Sequence, residues 1–312
     1  MSDLKSLLVV AALDERDEAT LDVACWLAGA FQLRSVTLAH IALAWERPPY
    51  WPADSSEVPL GVDEREIETQ LDRLAAKIRP CLSRDTAIEP VVRRGALVTQ
   101  LIGLARECSA DLVCLGTTGT TRYDQLTQSV AGLVRKLPCS VLTVPQGTKP
   151  PLERFLVPID FSDLSRETVS LALQLADSRP NAAVTVQHVY QVPVGFHKTG
   201  QSREQFATSM LKLARDHWQA WSEELGRDLQ KVQVRFDLSD EVPAAILAAA
   251  NEIDAQLIVM GGHGRTLPSG VLLGHTADVV GRHSTRSVLC LKKKGQVVHL
   301  AKALLQLLSG TD

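Results

Sequence analysis

The sequence predicts an α/β fold made of two tandem, doubly wound domains, each built on a five-stranded parallel sheet. One observation is an internal repeat: "VTLAH" at 36–40 returns as "VTVQH" at 184–188, and "ADLVCLGTTG" at 110–119 returns as "AQLIVMGGHG" at 255–264. The other is that each copy alternates short, continuous runs of Val, Ile and Leu with helical segments. Such runs indicate parallel strands that helices cover on both faces.

Both copies are predicted to contain the same elements in the same order. A strand leads into an amphipathic helix and a second strand, a longer connection holds a helix, and a third strand and its helix precede the fourth strand. A glycine-bearing loop, a further helix and the last strand complete each copy. The predicted strands are 7–11, 35–39, 89–92, 111–116 and 140–144 in the first copy and 155–159, 183–188, 231–236, 256–261 and 287–291 in the second.

The copies meet at "PQGTKPPLE", residues 145–153, where proline, glycine and charge replace periodic apolar residues. This segment predicts two domains, at 1–147 and 152–312. A chain of 312 residues that is 45% hydrophobic is long enough for each domain to bury a core.

Composition limits the kinds of binding partner and the cellular compartment that are expected for this protein. The net charge is −3, and no basic tract indicates nucleic-acid binding. Six cysteines without metal-ligand spacing are expected to be free, mostly buried thiols of a reducing compartment. Because the apolar run near the start is too short to span a bilayer and lacks a signal-peptide cleavage pattern, we expect a cytoplasmic protein without a membrane partner.

A carboxylate follows the first strand of the second copy. In doubly wound sheets, ligands bind outside the carboxyl ends of the strands, where the strand order reverses. "LVPIDFSD" places Asp160 at that edge. Its carboxylate could accept hydrogen bonds from a nucleotide or help to hold a divalent ion. It could equally cap the next helix, a role that Ser162 or Asp163 could also fill.

The fourth strand of the second copy runs into "GGHGRTLPSGVLLGHTADVV", residues 261–280. Gly261 and Gly264 would let the backbone approach a phosphate, and a helix starting near Gly274 would direct free N–H groups at an anion. Arg265 could add a charged donor. A flexible turn without a ligand is the alternative. The chain contains no GxxxxGK[ST] sequence, and no GxGxxG follows the first strand of either copy.

These segments resemble the universal stress protein family of the adenine-nucleotide-binding type. The resemblance lies in "VPIDFSDLSRETVSLALQLA", "VTVQHVY" and "DAQLIVMGGHGRTLPSGVLLGHTADVVGRHSTRSVLCL", and the whole chain resembles the tandem-domain members. The family signature is Gly, two residues, Gly, nine residues, then Gly and a hydroxyl residue. Gly261, Gly264 and Gly274 match it, but His275 stands in the hydroxyl position, with Thr276 next.

The resemblance implies a fold like that of the adenine nucleotide alpha hydrolases, with the halves packed as a pseudo-dimer around their last strands. It also implies a site for ATP, ADP or AMP, with or without Mg²⁺, in which Asp160 contacts the nucleotide, Val189 lies against the adenine and residues 274–276 face the phosphates. The expected binding residues are Pro158, Asp160, Val189, Met260, Gly261, Gly264, Arg265, Gly274, His275 and Thr276.

The first copy departs further from this pattern. Ala12 occupies the place of Asp160, and Asp14 two positions on is not an obvious substitute. Its loop keeps Gly116 and Gly119, but Gln128 and Ser129 replace the last glycine and the hydroxyl residue. We therefore expect weak or no nucleotide binding by this half.

No sequence motif supplies a nucleophile or an acid–base pair, so we expect no efficient catalyst. Slow ATP hydrolysis stays open. So does a scaffold with vestigial pockets that binds other proteins or a different small ligand, through the aromatic segment 44–59 or the apolar tail 295–310. His263, His275 and His283 lack regular metal-ligand spacing and are expected at the surface or at helix ends. A homodimer also stays open.

Overall fold

A computed structural model describes residues 4–42, 64–118, 135–177, 179–200, 202–226, 229–262 and 274–292. Ten strands form one continuous sheet in the order β3-β2-β1-β4-β5-β10-β9-β6-β7-β8. Within each half the five strands are parallel and follow the same doubly wound order. The predicted fold class is therefore confirmed.

The observed strands lie within a few residues of their predicted positions. They are β1 Ser6–Val10, β2 Ser35–Ala42, β3 Ala87–Arg94, β4 Leu112–Thr117, β5 Ser140–Pro145, β6 Arg154–Ile159, β7 Ala183–Tyr190, β8 Val232–Leu238, β9 Leu257–Gly261 and β10 Ser287–Leu291. The described α-helices are α1 Arg16–Ala30, α2 Glu64–Ile78, α3 Leu97–Glu107, α4 Asp163–Asp177, α5 Arg203–Glu223, α6 Val242–Glu252 and α7 His275–His283, with short 3-10 helices at Arg79–Cys81 and Phe196–Thr199.

Helices cover both faces of the sheet, as the continuous apolar strands predict. Of the described helices, α1, α2, α4 and α5 pack on one face, and α3, α6 and α7 pack on the other. Side chains alternate between these two cores along each strand; Leu257 and Val259 face the first core, for example, while Ile258 and Met260 face the second.

The two halves join through their last strands. β5 and β10 pair antiparallel, with Leu142 opposite Leu289, and both side chains are buried. Each core continues across this junction, because residues of both halves belong to it. The domain ranges 1–147 and 152–312 stay predictions, since sheet and cores run through both halves.

Lys292 fastens the end of β10 to the first half. Its backbone N–H donates to Ser140 Oγ at 3.1 Å, and its ammonium group donates to the carbonyl oxygens of Arg135 (3.1 Å) and Leu137 (2.9 Å). Burial lowers the pKa of this amine. The first lysine of the run 292–294 thus serves the contact between the halves.

Candidate functional site

The strand order of the second half reverses at β6. The neighbours of β6 are β7 and β9; the chain leaves β6 into α4 on one face of the sheet and reaches β9 from α6 on the other. In such a fold the crevice outside the carboxyl ends of the two central strands is the expected ligand site. Asp160 and Gly261 stand at these two strand ends.

Hydrogen bonds hold the Asp160 carboxylate in the turn between β6 and α4. Its Oδ1 accepts from Ser165 Oγ at 2.7 Å and from Ser162 N–H at 3.1 Å, and its own N–H donates to Ser165 Oγ at 3.1 Å. Ser162 Oγ accepts from Ser165 N–H at 3.2 Å. Ser162 therefore caps α4, while Asp160 is oriented at the strand end. Ser165 is a site residue that sequence reasoning missed.

The next residue, Phe161, adopts a left-handed backbone conformation with φ of +62°, which is uncommon for a residue with a side chain. Ring contacts hold it in place: its centroid lies 4.6 Å from that of His217, 4.4 Å from that of His188 and 5.9 Å from that of Trp221. The aromatic packing thus stabilises the turn that presents Asp160.

β7 is tied to the end of β6 by His188. The imidazole Nδ1 lies 3.0 Å from the Ile159 carbonyl oxygen, directly before Asp160, so Nδ1 carries the proton and donates. Val189 then turns to the other face, where it packs with the core that contains Met260. Pro158 pairs in register with Gln187 on that same face.

Gln187 is a buried amide that the sequence analysis did not single out. It has no exposed surface, and its Nε2 donates to Asp237 Oδ2 (2.7 Å) and to the Ala245 carbonyl (3.2 Å). Both partners are acceptors, which fixes the orientation of the amide. Its Oε1 has no hydrogen-bond partner in the part of the chain that the structure describes. Burial opposes ionisation of Asp237, but hydrogen bonds from Arg235 and Gln187 hold its pKa below the ordinary value.

The first turn of α7 lies at the carboxyl end of β9. The N–H of Gly274, the N-cap residue, donates to the Gly262 carbonyl at 2.7 Å, and the Gly262 N–H donates to the Leu291 carbonyl at 2.8 Å. No side chain of the described residues caps α7. Its first backbone N–H groups have no partner within the helix, as at any helix start. His275, which is exposed, and the half-buried Thr276 occupy this turn.

Gly262 is needed for close packing and was also missed. A Cβ at this position would lie 3.1 Å from the Leu291 carbonyl oxygen, tighter than a side chain normally tolerates. The double glycine of "GGHG" was the available signal. Several predicted positions lie outside the described residues: His263, Gly264 and Arg265 in the second half, Gly119, Gln128 and Ser129 in the first, and the segments 44–59 and 295–310.

The corresponding turn in the first half is built differently. Leu13 has φ of +60° and matches Phe161, which places Ala12 at the position of Asp160. Asp17 stands where the second half has Ser165, and its two carboxylate oxygens accept from the N–H groups of Ala12 (2.7 Å) and Leu13 (2.8 Å). The carboxylate of this half is therefore buried beneath the turn. Burial raises the pKa of Asp17 despite these two hydrogen bonds.

Asp14 and Gly116 also have structural partners. Asp14 forms an ion pair with Arg16 at 2.5 Å, and this hydrogen-bonded guanidinium lowers the pKa of its carboxyl. A Cβ on Gly116 would lie 2.6 Å from Thr20 Oγ1 and 2.9 Å from the Arg16 Cβ. Packing against α1 is sufficient to account for this glycine.

The described residues contain no group of three His, Cys, Asp or Glu side chains that could hold a metal ion. Within the same part of the chain, every helix is too short or too polar to cross a membrane.

Comparisons with known proteins agree with this architecture. The sequence profile of the Universal stress protein family matches residues 4–145 and 151–292, and no match is found among curated proteins. A universal stress protein from Archaeoglobus fulgidus DSM 4304 is similar over 94% of this chain and 98% of its own, with a TM-score of 0.65 and 17% identity. A putative universal stress protein from Pseudomonas aeruginosa UCBPP-PA14 is similar over 97% and 98%, with a TM-score of 0.64 and 20% identity. The chain therefore belongs to the universal stress protein family and carries two copies of its domain in tandem.

Proposed function

We propose that this protein binds an adenine nucleotide, ATP or its products ADP and AMP, in its second half only, as a cytoplasmic regulator of a stress response. One observation carries the proposal: matched turns present Asp160 at the strand end in the second half and bury Asp17 under the turn in the first. A carboxylate held at the switch point can accept hydrogen bonds from a nucleotide. The first half serves as the scaffold.

Each part of the site has a role in this proposal. The adenine lies on the sheet face of Val189, with Pro158 and Met260 beside it, because these side chains share that face near the strand ends. The phosphates face the start of α7, at Gly274, His275 and Thr276, where the helix dipole and the N–H groups of the first turn, which have no partner within the helix, favour an anion.

Five further features complete the proposal. Gly261 and Gly264 allow the backbone to approach the phosphates, Arg265 adds a charged donor, and Mg²⁺ bound with the nucleotide neutralises its charge. The pairing of the last strands supports an arrangement of the two halves as an intramolecular pseudo-dimer. Hydrolysis of the bound ATP is slow or absent.

Isothermal titration with ATP and Mg²⁺ tests the site. We expect binding with one nucleotide per chain, and a loss of affinity of roughly tenfold or more in Asp160→Ala, because a charge-assisted hydrogen bond contributes about 1.5–3 kcal/mol. Gly264→Val should also weaken binding. The matched control Asp14→Ala alters a carboxylate of the first half and should leave the affinity unchanged. No binding at millimolar nucleotide, or equal affinity in wild type and Asp160→Ala, would contradict the proposal.

Mass spectrometry of the small molecule retained by freshly purified protein provides an independent test. Release of an adenine nucleotide on denaturation supports the proposal. An empty pocket together with a stably bound protein partner favours the alternative, a scaffold with vestigial pockets. ATP turnover that disappears in Asp160→Ala would favour a hydrolase.

A further inference from the structure

Two cysteines that are far apart in sequence line the same groove beside α1 in the first half. Cys25 lies on α1, and Cys81 lies in the 3-10 helix Arg79–Cys81 that follows α2. Both side chains line the same groove, and the Cys81 thiol is near enough to contribute to the raised pKa of Cys25. A disulfide requires the two sulfurs to approach to about 2 Å, so oxidation has to draw the two side chains together within this groove.

The pair is open to small molecules. Both side chains line a groove of about 940 Å³ between α1 and α2, together with Asp22 and Lys77. Cys81 is exposed, whereas Cys25 is half-buried and packs against the core. An oxidant entering the groove therefore reaches the exposed Cys81 more readily than the half-buried Cys25.

Burial determines the reactivity of the Cys25 sulfur. Burial, followed by the nearby Cys81 thiol, raises the pKa of the Cys25 thiol to about 12. Cys25 therefore keeps its proton at neutral pH and is a poor first nucleophile. Cys25 also has to lose its proton when it attacks an oxidised neighbouring sulfur, so closure of the disulfide is the slower step.

We propose that Cys25 and Cys81 form a reversible disulfide when the protein meets a hydroperoxide. The Cys81 thiolate attacks the peroxide; an S–O bond forms, the O–O bond breaks, and Cys81 becomes a sulfenic acid as water or an alcohol leaves. The Cys25 sulfur then attacks the Cys81 sulfur, the S–O bond breaks, and the leaving hydroxide takes the Cys25 proton to form water. The two thiols together supply the two electrons that reduce the peroxide.

This site belongs to the first half alone. The second half contains a single cysteine, Cys290, which is buried in β10, and the position that matches Cys25 is the buried Leu173. The disulfide would link α1 to the end of α2 and close the long stretch of chain between them. Closing such a loop restricts the unfolded chain and stabilises the folded state.

Peptide mapping of the full-length protein tests the proposal. After a few-fold excess of hydrogen peroxide, alkylation and tryptic digestion, we expect one disulfide that links the peptides 17–34 and 78–84, a loss of two free thiols, and full reversal by dithiothreitol. Cys81→Ser should abolish the link. Cys25→Ser should leave Cys81 as a sulfenic acid that dimedone traps. The matched control Cys108→Ser removes another half-buried thiol and should form the link as the wild type does.

Other results would overturn the proposal. These are the absence of the linked peptides, a disulfide between two chains, or a link that involves Cys108. Thermal unfolding is a second measurement: the oxidised wild type should unfold several degrees higher than the reduced protein, and peroxide should not shift the Tm of Cys81→Ser. An unchanged or lower Tm after oxidation would show that the pair is not poised for bonding. None of these measurements depends on nucleotide binding.

Discussion

After β1 and after β6 the chain turns through the same left-handed residue, Leu13 in the first half and Phe161 in the second, yet the carboxylates lie on different sides of that turn. In the second half Asp160 belongs to the turn itself and Ser165 supports it from α4. In the first half the supporting side chain is Asp17 of α1, the counterpart of α4. Ala12, which occupies the position of Asp160, has no carboxylate. In each turn, backbone N–H groups donate to a polar side chain of the following helix, Ser165 in the second half and Asp17 in the first. Only the turn of the second half also carries a carboxylate that a ligand could contact.

The largest expected effect concerns the strand pair that joins the halves. Leu142→Ala removes a fully buried side chain opposite Leu289 and should cost about 2–5 kcal/mol of unfolding free energy. Because both cores run through the junction, wild type and variant should each unfold in one transition for both halves. Urea unfolding followed by circular dichroism and fluorescence provides the measurement. Two separate transitions in the wild type would show that the halves are independent.

Asp17 and Ser165, the side chains that support the two turns, should affect different properties: Asp17 mainly the stability of the fold, and Ser165 mainly nucleotide affinity. Asp17→Ala leaves the buried N–H groups of Ala12 and Leu13 without their acceptor and should lower the unfolding free energy by about 1–3 kcal/mol without changing nucleotide affinity. Ser165→Ala should cost less stability but weaken ATP binding, because Asp160 loses a 2.7 Å hydrogen bond. Urea unfolding and titration of both variants check this. A similar loss of ATP affinity in both variants would mean that the first half also binds nucleotide.

Gly116, in the fourth strand of the first half, should matter for packing rather than for nucleotide binding. In Gly116→Ala the new methyl group would lie 2.6 Å from Thr20 Oγ1, which should destabilise the fold by about 1–3 kcal/mol. The matched control is Gly29→Ala in α1, where no atom lies within 4 Å of the added Cβ. It should stabilise the protein by about 0.5–1 kcal/mol, because alanine favours a helix. Thermal melts should therefore show shifts of opposite sign, and a neutral Gly116→Ala would contradict this role.

The smallest expected effect is on pH dependence, with opposite signs in the two halves. Asp17 has a raised pKa, so the folded state binds its proton more tightly, and stability falls as pH rises from 3.8 through that raised value. Asp237 has a lowered pKa, so its contribution is present above 3.8 and is lost as pH falls through the lowered value. A shift of one pKa unit corresponds to about 1.4 kcal/mol.

Unfolding free energies at a series of pH values for Asp17→Asn and Asp237→Asn would separate the two contributions. Each variant should remove the pH dependence in its own window and leave the other window unchanged. Parallel pH profiles of both variants and the wild type would contradict these assignments.

Sequence reasoning worked best where a local pattern carries the information. The aliphatic runs of β4 and β9 predicted buried parallel strands, and the glycine at 274 predicted the start of a helix, which begins at His275. The position of Asp160 at a strand end followed from the same reading. These features depend on residues close together in the chain, since strand and helix periodicities repeat every two and 3.6 residues.

Contacts between distant segments could not be predicted in this way. The six cysteines were expected to be mostly buried, and Cys114, Cys139 and Cys290 are, but Cys81 is exposed and lines the same groove as Cys25. Their placement in one groove depends on how α1 and α2 pack against the sheet, which no local pattern records.

By itself, the sequence determined two repeats, their parallel α/β architecture and the one strand end that carries a carboxylate. Only the tertiary structure decided that Asp17 replaces Ser165 beneath the turn, that Gln187 is held by Asp237 with its Oε1 buried, and that β5 and β10 merge the halves into one sheet. The physical reason is that periodicity fixes which face of an element is apolar, whereas the partner of a buried polar group is chosen by packing between segments far apart in the chain.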